Sequence, residues 1–173
     1  VRGVEPGSAN YKTIFSPGLL PFLRVGDLGS RNSELFVEKS VIKGKIIERK
    51  DIAVTMDGTV GRVVMGMAGA YSTGIRKLVI TDQRINREFL FSFMLSDYIQ
   101  NIIKAHAKGS TILHASESIK FMKVILPPKK LMDEFGRLVN PVIDQILNLQ
   151  DKNRVLSQTR DLLIPQLVTG KRE

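Results

Sequence analysis

Two glycine-bearing loops carry arginines, a combination that is typical of contacts with the phosphate backbone of a nucleic acid. The loops span residues 24–30 (RVGDLGS) and 56–62 (MDGTVGR). Glycine lets backbone N–H groups approach phosphates, while Arg24, Arg31 and Arg62 would supply charge and bidentate hydrogen bonds to guanine. Neither loop has a P-loop sequence or opens a helix as a dinucleotide-binding fingerprint must. Ordinary tight turns would explain the same glycines, so both interpretations stay open.

A polar segment at residues 108–111 (KGST) offers a second kind of phosphate contact. Lys108 would be the cation of a phosphate clamp, and Ser110 and Thr111 would be its hydrogen-bond donors. The same residues would equally form the end of a helix, with Gly109 in the left-handed conformation of a C-terminal cap. The residue types alone do not separate these two interpretations.

Asp27, Glu48 and Lys50 follow the order of a metal-dependent nuclease site, with separated acids and a lysine. Such a site needs the glutamate and lysine on a central strand, where the acids gather a divalent cation. Here Glu48 and Lys50 lie in a charged run before a predicted strand, which favours a solvated turn. A nuclease is therefore the enzymatic alternative, and catalysis in this chain is not expected. His106 and His114 have no metal-ligand spacing, so no metal site is expected either.

The positive charge of the chain lies mainly in its first 128 residues. The 173 residues include 26 Lys/Arg and 17 Asp/Glu, a net charge of +9, and residues 1–128 hold 18 and 11 of these, a net charge of +7. A basic domain favours a polyanion partner, nucleic acid before an anionic membrane. A merely soluble basic protein would have the same composition.

The sequence contains no cysteine and no run of 18 apolar residues. This composition argues against a disulfide framework and against a transmembrane helix. The first residues lack the apolar stretch of a signal peptide, so we expect a cytoplasmic location and no membrane partner. Because the sequence does not begin with Met, we also expect a fragment or a processed chain.

The loops require a scaffold, and the residue pattern predicts short strands and turns followed by a helix. The helix at residues 87–107 has apolar side chains at helical spacing and Asn86 as its N-cap. Residues 26–33 are predicted as a turn and residues 116–120 as one helical turn. Strands are predicted at residues 22–25, 52–56, 62–67, 77–81 and 121–126, with a weak strand or lone helical turn at 41–47.

A heptad pattern over residues 130–163 predicts a helix about 50 Å long at 1.5 Å per residue. An apolar seam of this length needs a partner. Pro141 removes a backbone donor inside the pattern, and because the heptad phase continues across it we favour a kink over a restarted helix. Pro165 and Gly170 are expected to end the helix. The seam consists of Met132, Val139, Ile146 and Asn153 at a positions and Phe135, Val142, Leu149, Leu156 and Leu163 at d positions.

Six motifs occur in the order that they have in one known family. They are GVEPGS at 3–8, PFLRVGD at 21–27, MDGTVGR at 56–62, KGST at 108–111, LPP at 126–128 and RDLLIPQLVTG at 160–170. Together with the heptad helix, they make the chain strongly resemble one half of a type I restriction–modification specificity subunit, over nearly its whole length. The resemblance implies an α+β fold, with a small mixed-sheet DNA target-recognition domain at residues 1–128 and a conserved spacer helix with a C-terminal tail at residues 129–173.

The resemblance also implies binding of one half of a bipartite duplex DNA site and docking of methyltransferase subunits, with a restriction and translocase subunit beyond them. Methylation and cleavage would belong to those partners, which would bind S-adenosylmethionine, Mg²⁺ and ATP. This chain would be non-catalytic and would need no cofactor. The residues predicted to contact DNA are Arg24, Arg31, Thr55, Asp57, Gly58, Thr59, Arg62, Arg76, Lys77, Lys108, Ser110 and Thr111.

Size is the departure from the family, whose members usually carry two recognition domains and two antiparallel helices. The chain is therefore either part of a longer subunit or a half-subunit that forms a homodimer. A two-fold dimer would read an inverted repeat with a spacer set by the helix. Asn153 would then help to fix the register of the paired helices, or else it would face a methyltransferase or water. A coiled-coil adaptor without DNA binding is the remaining alternative.

Overall fold

The computed structural model describes residues 1–170, except for the side chain of Thr169. The chain divides into two compact units, Val1–Gly136 and Arg137–Glu173. The boundary falls inside a long helix that begins at Lys129. The division of the chain into domains after residue 128 stays a prediction.

The first unit contains two small sheets. Strands β1 (Leu19–Leu23), β2 (Phe36–Glu38), β3 (Ile46–Ile47) and β6 (Gly69–Tyr71) form one sheet in the order β2-β1-β6-β3. The β1–β6 pair is parallel and the other two pairs are antiparallel. Strands β4 (Ile52–Thr55), β5 (Val63–Val64) and β7 (Ile75–Leu78) form an antiparallel sheet in the order β5-β4-β7. These mixed sheets, combined with a long C-terminal helix, confirm the predicted α+β fold class.

Strand β4 lies at the centre of the unit, since all four of its residues are buried. Ala53 belongs to a cluster with Leu23 and Tyr71, whereas Val54 belongs to a cluster with Ile99 and other helical residues. Successive side chains of a strand point to opposite faces, so β4 has one apolar layer on each side. The loop that follows β4 is thereby anchored in the core.

Helices α2 (Arg87–Leu95) and α3 (Asp97–Ala105) replace the single helix predicted at residues 87–107. Asn86 caps α2 as predicted, and its side-chain oxygen accepts the N–H of Phe89 at 2.8 Å. The break comes at Ser96, whose hydroxyl donates to the Phe93 carbonyl at 2.7 Å and accepts the N–H of Ile99 at 3.5 Å. Serine side chains compete with helical backbone hydrogen bonds in this way, and apolar spacing does not reveal it.

Other local predictions are corrected. Residues 26–33 contain a one-turn helix, α1 (Asp27–Ser30), so the first glycine-bearing loop does open a short helix. Residues 121–126 form no strand; the predicted helical turn is a 3₁₀ helix, Ser116–Phe121, and irregular chain follows it. Gly109 lies beyond the end of α3, whose C-cap is His106, so Gly109 is not that helix's cap. The remaining 3₁₀ turns are Ser8–Asn10 and Lys39–Val41.

The long helix α4 spans Lys129–Thr169, about 60 Å at 1.5 Å per residue. It runs through Pro141 without restarting, and it also runs through Pro165, so the prediction that Pro165 ends it is wrong. Gly170 caps it instead, with φ +66 and an N–H that donates to the Gln166 carbonyl at 3.1 Å. No helix within residues 1–170 is long and apolar enough to cross a membrane.

Candidate nucleic-acid interface

Thr55, at the end of β4, holds the loop of residues 56–62 in place. Its N–H donates to the Arg62 carbonyl at 3.0 Å, and its hydroxyl accepts the N–H of Arg62 at 3.0 Å and donates to the Thr59 carbonyl. The Thr55 side chain is fully buried, so this predicted DNA contact is instead a residue that positions the loop. Gly58 and Thr59 remain exposed at the loop's outer end.

The loop of residues 24–30 is held by a buried carboxylate. Asp27 accepts the N–H of Arg24 at 2.8 Å, and the Arg24 guanidinium lies 3.7 Å from the same oxygen. Arg24 itself is exposed. Asp27 is therefore part of a turn rather than an acid of a nuclease site.

The other nuclease candidates also lie in a turn, as expected from their charged run. The N–H of Glu48 donates to Asp51 Oδ2 at 2.7 Å, and the N–H of Asp51 donates back to the Glu48 carbonyl at 2.8 Å. Lys50 lies inside this turn, before β4 begins. Among residues 1–170, no group of three or more potential metal ligands is arranged around a common point.

Residues 108–114 form a hairpin-like loop that was not predicted. The N–H and carbonyl of Lys108 pair with the carbonyl and N–H of His114, at 3.0 and 2.7 Å. The hairpin is joined to the loop of residues 56–62 by the N–H of Gly58, which donates to the Leu113 carbonyl at 2.8 Å. It is joined again by His114 Nδ1, which lies 2.8 Å from Asp57 Oδ1.

The loop of residues 24–30 also contacts the loop of residues 56–62. The Arg62 guanidinium lies against Gly29 so closely that a Cβ at position 29 would be 2.0 Å from Nη1. The segments 24–30, 56–62 and 108–114 thus form a connected set and are here named the loop cluster. The sequence predicted residues 24–30, 56–62 and 108–111 as separate candidates, but it did not predict the hairpin to residue 114 or the junction through His114.

The exposed cations of the loop cluster are Arg24 and Lys108, with Arg62 half-exposed. Lys108 donates to Glu117 Oε2 at 3.2 Å, and this hydrogen bond holds the pKa of the Glu117 carboxyl below its usual range. Ser110 and Thr111 are exposed within the hairpin. The cluster therefore offers cations and small hydrogen-bonding groups to solvent.

Three predicted contacts make hydrogen bonds or ion pairs within the domain, although Arg31 remains exposed at its surface. Arg76 donates to the Ile75 carbonyl at 3.3 Å and to Ser116 Oγ at 2.7 Å, and burial lowers its pKa. Lys77, on the opposite face of β7, lies 2.5 Å from Asp51 Oδ2. Arg31 donates to the Met65 carbonyl at 3.0 Å. These side chains hold strands and turns together, a role that residue type alone did not distinguish from binding.

A groove of about 500 Å³ opens between the loops, and its lining includes Glu5, Arg24, Asp27, Asp57 and Gly74. The Glu5 carboxylate accepts the N–H of Thr73 at 3.1 Å and the Tyr11 hydroxyl at 2.9 Å. Burial and this hydrogen bond raise the pKa of Tyr11 to about 12. The sequence singled out Glu5 only as part of a motif. In the structure it lines the groove and accepts hydrogen bonds from Thr73 and Tyr11.

The predicted helical seam is divided between the two units. Met132 and Phe135 belong to the first: Met132 is buried, its carbonyl accepts the side-chain amide of Asn86 at 2.7 Å, and the Phe135 ring packs edge-on against Phe89. Val139 is half-buried. The exposed part of the seam comprises Val142, Ile146, Leu149, Asn153, Leu156 and Leu163.

Residues 7–157 match the family described as "Type I restriction modification DNA specificity domain", which is most of the chain. The chain belongs to this family. The resemblance inferred from the six motifs is confirmed, and the chain corresponds to half of a type I specificity subunit.

Two curated relatives are similar to this chain over nearly its whole length. The chain is 27% identical to the type I restriction enzyme MjaIX specificity subunit of Methanocaldococcus jannaschii, over 97% of this chain and 41% of that protein. It is 26% identical to the HindI specificity subunit of Haemophilus influenzae, over 99% of this chain and 39% of that protein. The chain thus spans about two fifths of the length of these relatives.

Two solved structures share the fold. The S subunit of a type I restriction–modification system from M. genitalium superposes with a TM-score of 0.63 at 16% identity, covering 99% of this chain and 43% of that one. A chain from a type I restriction–modification complex gives a TM-score of 0.57 at 18% identity, covering 97% and 41%. At these identities the likeness is one of fold.

Proposed function

We propose that this half-subunit binds one half of a bipartite duplex DNA site through the loop cluster. The observation that supports the proposal is that two loops far apart in sequence, residues 24–30 and 108–114, both contact the loop of residues 56–62. Family membership gives the biological setting, and the net charge of +7 over residues 1–128 suits a polyanion.

Different members of the loop cluster would make different contacts. Arg24 and Lys108 are exposed cations and would bind phosphates, which position the protein but carry no sequence information. Arg62 is held against Gly29 with its guanidinium oriented, so it would donate to the base edge of guanine. The hydroxyls of Ser110 and Thr111 would complete the hydrogen bonding.

The exposed part of the helical seam would pair with a second copy of this chain or with the other half of a longer subunit. Apolar a and d positions over several heptads are the pattern that paired helices bury. The helix would then set the distance between two recognition domains and offer a surface on which methyltransferase subunits dock. Methylation and cleavage would take place in those partners, with their S-adenosylmethionine, Mg²⁺ and ATP, and the chain itself would be non-catalytic.

Equilibrium binding to two duplexes tests this function. One duplex carries the site found by methylome sequencing of the host, and the other has the same composition in scrambled order. We expect tighter binding to the first, with affinity that falls steeply as salt rises because counterions are released from the DNA. Equal binding to both duplexes would contradict sequence recognition. If the protein binds neither duplex at low salt, the remaining interpretation is a coiled-coil adaptor without DNA binding.

The choice of residues is tested with Arg62→Ala and Lys108→Ala, with Lys39→Ala as the control. Lys39 is an exposed lysine outside the loop cluster. Arg62→Ala should reduce discrimination between the duplexes, while Lys108→Ala should weaken both and lower the salt slope by about 1. Unchanged affinity in both variants would place the interface elsewhere on the domain.

A further inference from the structure

The hairpin of residues 108–114 presents an isoleucine to solvent at its outer end. Its two strand-like ends are joined by main-chain hydrogen bonds between Lys108 and His114, so five residues form the connecting loop. Gly109 has φ +125, and a Cβ at this position would lie 2.1 Å from the Ile112 carbonyl oxygen. The loop is therefore tightly folded, and only glycine fits its first position.

The side chain of Ile112 is 56% exposed, and that of its neighbour Leu113 is 40% exposed. The Leu113 carbonyl is fixed by the N–H of Gly58, and the N–H of Ala115 donates to the Met56 carbonyl at 2.8 Å. These bonds hold the backbone beside the isoleucine in place. The hairpin thus presents apolar surface to water on a well-anchored backbone, and a partner that covers this surface would gain free energy from its burial.

Polar groups surround this apolar tip. Lys108 stands at the base of the hairpin, Ser110 and Thr111 precede the isoleucine, and His114 follows it with its ring held by Asp57. A lysine and two hydroxyls beside exposed aliphatic side chains suit the edge of a duplex groove, where phosphates flank the bases. In the major groove, the apolar feature of a base pair is the 5-methyl group of thymine.

We propose that Ile112 is a specificity-determining residue that contacts the 5-methyl group of a thymine in the target site. This inference rests on the proposed DNA-recognition function. A branched aliphatic side chain covers a methyl group without needing a hydrogen bond, and the anchored backbone keeps it at a fixed depth. Base pairs that lack this methyl group leave the isoleucine uncovered.

The test removes the methyl group from the DNA and the isoleucine from the protein. The protein, purified with the modification subunits of its system, is titrated with the host target duplex. A set of duplexes follows in which deoxyuridine replaces one thymine at a time. Wild-type affinity should fall about three- to fivefold at one position, the value expected for one methyl group. Ile112→Ala should bind the original duplex more weakly by a similar factor and should not respond to that replacement.

Two further variants keep the result interpretable. Ile112→Val retains a branched methyl surface and should keep the response to deoxyuridine. Ile14→Ala removes an isoleucine that is 80% exposed and lies outside the loop cluster, and it should behave as the wild type. Matching circular dichroism spectra and unfolding midpoints establish that each variant is folded.

The outcomes distinguish this inference from the proposed DNA-recognition function on which it rests. If the wild type prefers the target over a scrambled duplex but responds to no thymine replacement, the thymine contact is refuted and the recognition function stands. Retention of the full response in Ile112→Ala, or a target without thymine, refutes the contact equally. If the wild type does not prefer the target at all, the proposed function itself fails.

Discussion

The imidazole of His114 hydrogen-bonds to the carboxylate of Asp57, with Nδ1 2.8 Å from Oδ1. The two residues are 57 positions apart in the sequence, and their contact joins the hairpin of residues 108–114 to the loop after β4. This contact adds a side-chain link to the main-chain bond between Gly58 and Leu113.

Asp57→Ala should loosen the hairpin without unfolding the domain, because the pair lies at the surface. Amide hydrogen exchange should become faster at His114 and Gly58, whose N–H groups close the hairpin and its junction. Binding to the host target duplex should weaken, with little change in the unfolding midpoint. Unchanged exchange at both amides would show that main-chain bonds alone hold the junction.

Thr55→Val should destabilise the domain by about 1–3 kcal/mol, because it leaves the Arg62 N–H and the Thr59 carbonyl without their buried partner. Thr55→Ser retains the hydroxyl and should lose less stability. Urea unfolding of the two variants measures the difference. Equal midpoints would mean that the hydroxyl does not fix the loop.

Glu117→Gln should strengthen DNA binding a few-fold, because it frees Lys108 from its ion pair and removes a negative charge beside the hairpin. Asp82→Asn is the matched control, since it breaks an exposed ion pair with Arg84 outside the loop cluster. Both variants are measured by titration at low and moderate salt. An equal gain in the two would indicate only a general effect of net charge.

Stability should fall between pH 10 and pH 12 through the ionisation of Tyr11. The pKa of Tyr11 is raised from 10.0 to about 12 by burial and by its hydrogen bond to Glu5. In the unfolded chain the phenol ionises first, so the folded state holds the proton in this window and loses stability as pH rises through it. Tyr11→Phe should reduce the fall in the free energy of unfolding between pH 10 and pH 12, whereas Tyr98→Phe should not. Absorbance of phenolate at high pH follows the ionisation directly.

Ile146→Asp with Leu149→Asp should abolish pairing through the helix, because charges would be placed in the exposed part of the seam. Gln158→Asp changes an exposed residue of the same helix outside the a and d positions and serves as the control. Light scattering during size-exclusion chromatography gives the mass of each. A paired wild type that stays paired in the double variant would place the contact on another surface.

Residue types and spacing predicted the strands on either side of the loop of residues 56–62, the N-cap at Asn86 and the long helix, whereas the α+β fold class was implied by the family resemblance. Each of these depends on local pattern, which a single sequence contains. The same reasoning took Thr55, Arg76 and Lys77 as DNA contacts because residue type does not show which side chains bond to other parts of the domain. It missed the role of His114 because its partner, Asp57, is brought near only by the tertiary fold.

The hairpin of residues 108–114 is closed by main-chain atoms at its ends, and only Gly109 has a conformation that restricts its replacement. The identities of the four residues after this glycine are therefore not fixed by folding. Exchange of these side chains would alter what the protein reads while the surrounding framework keeps its shape. A change confined to this tetrapeptide would then be enough to change the DNA site that the proposed interface recognises.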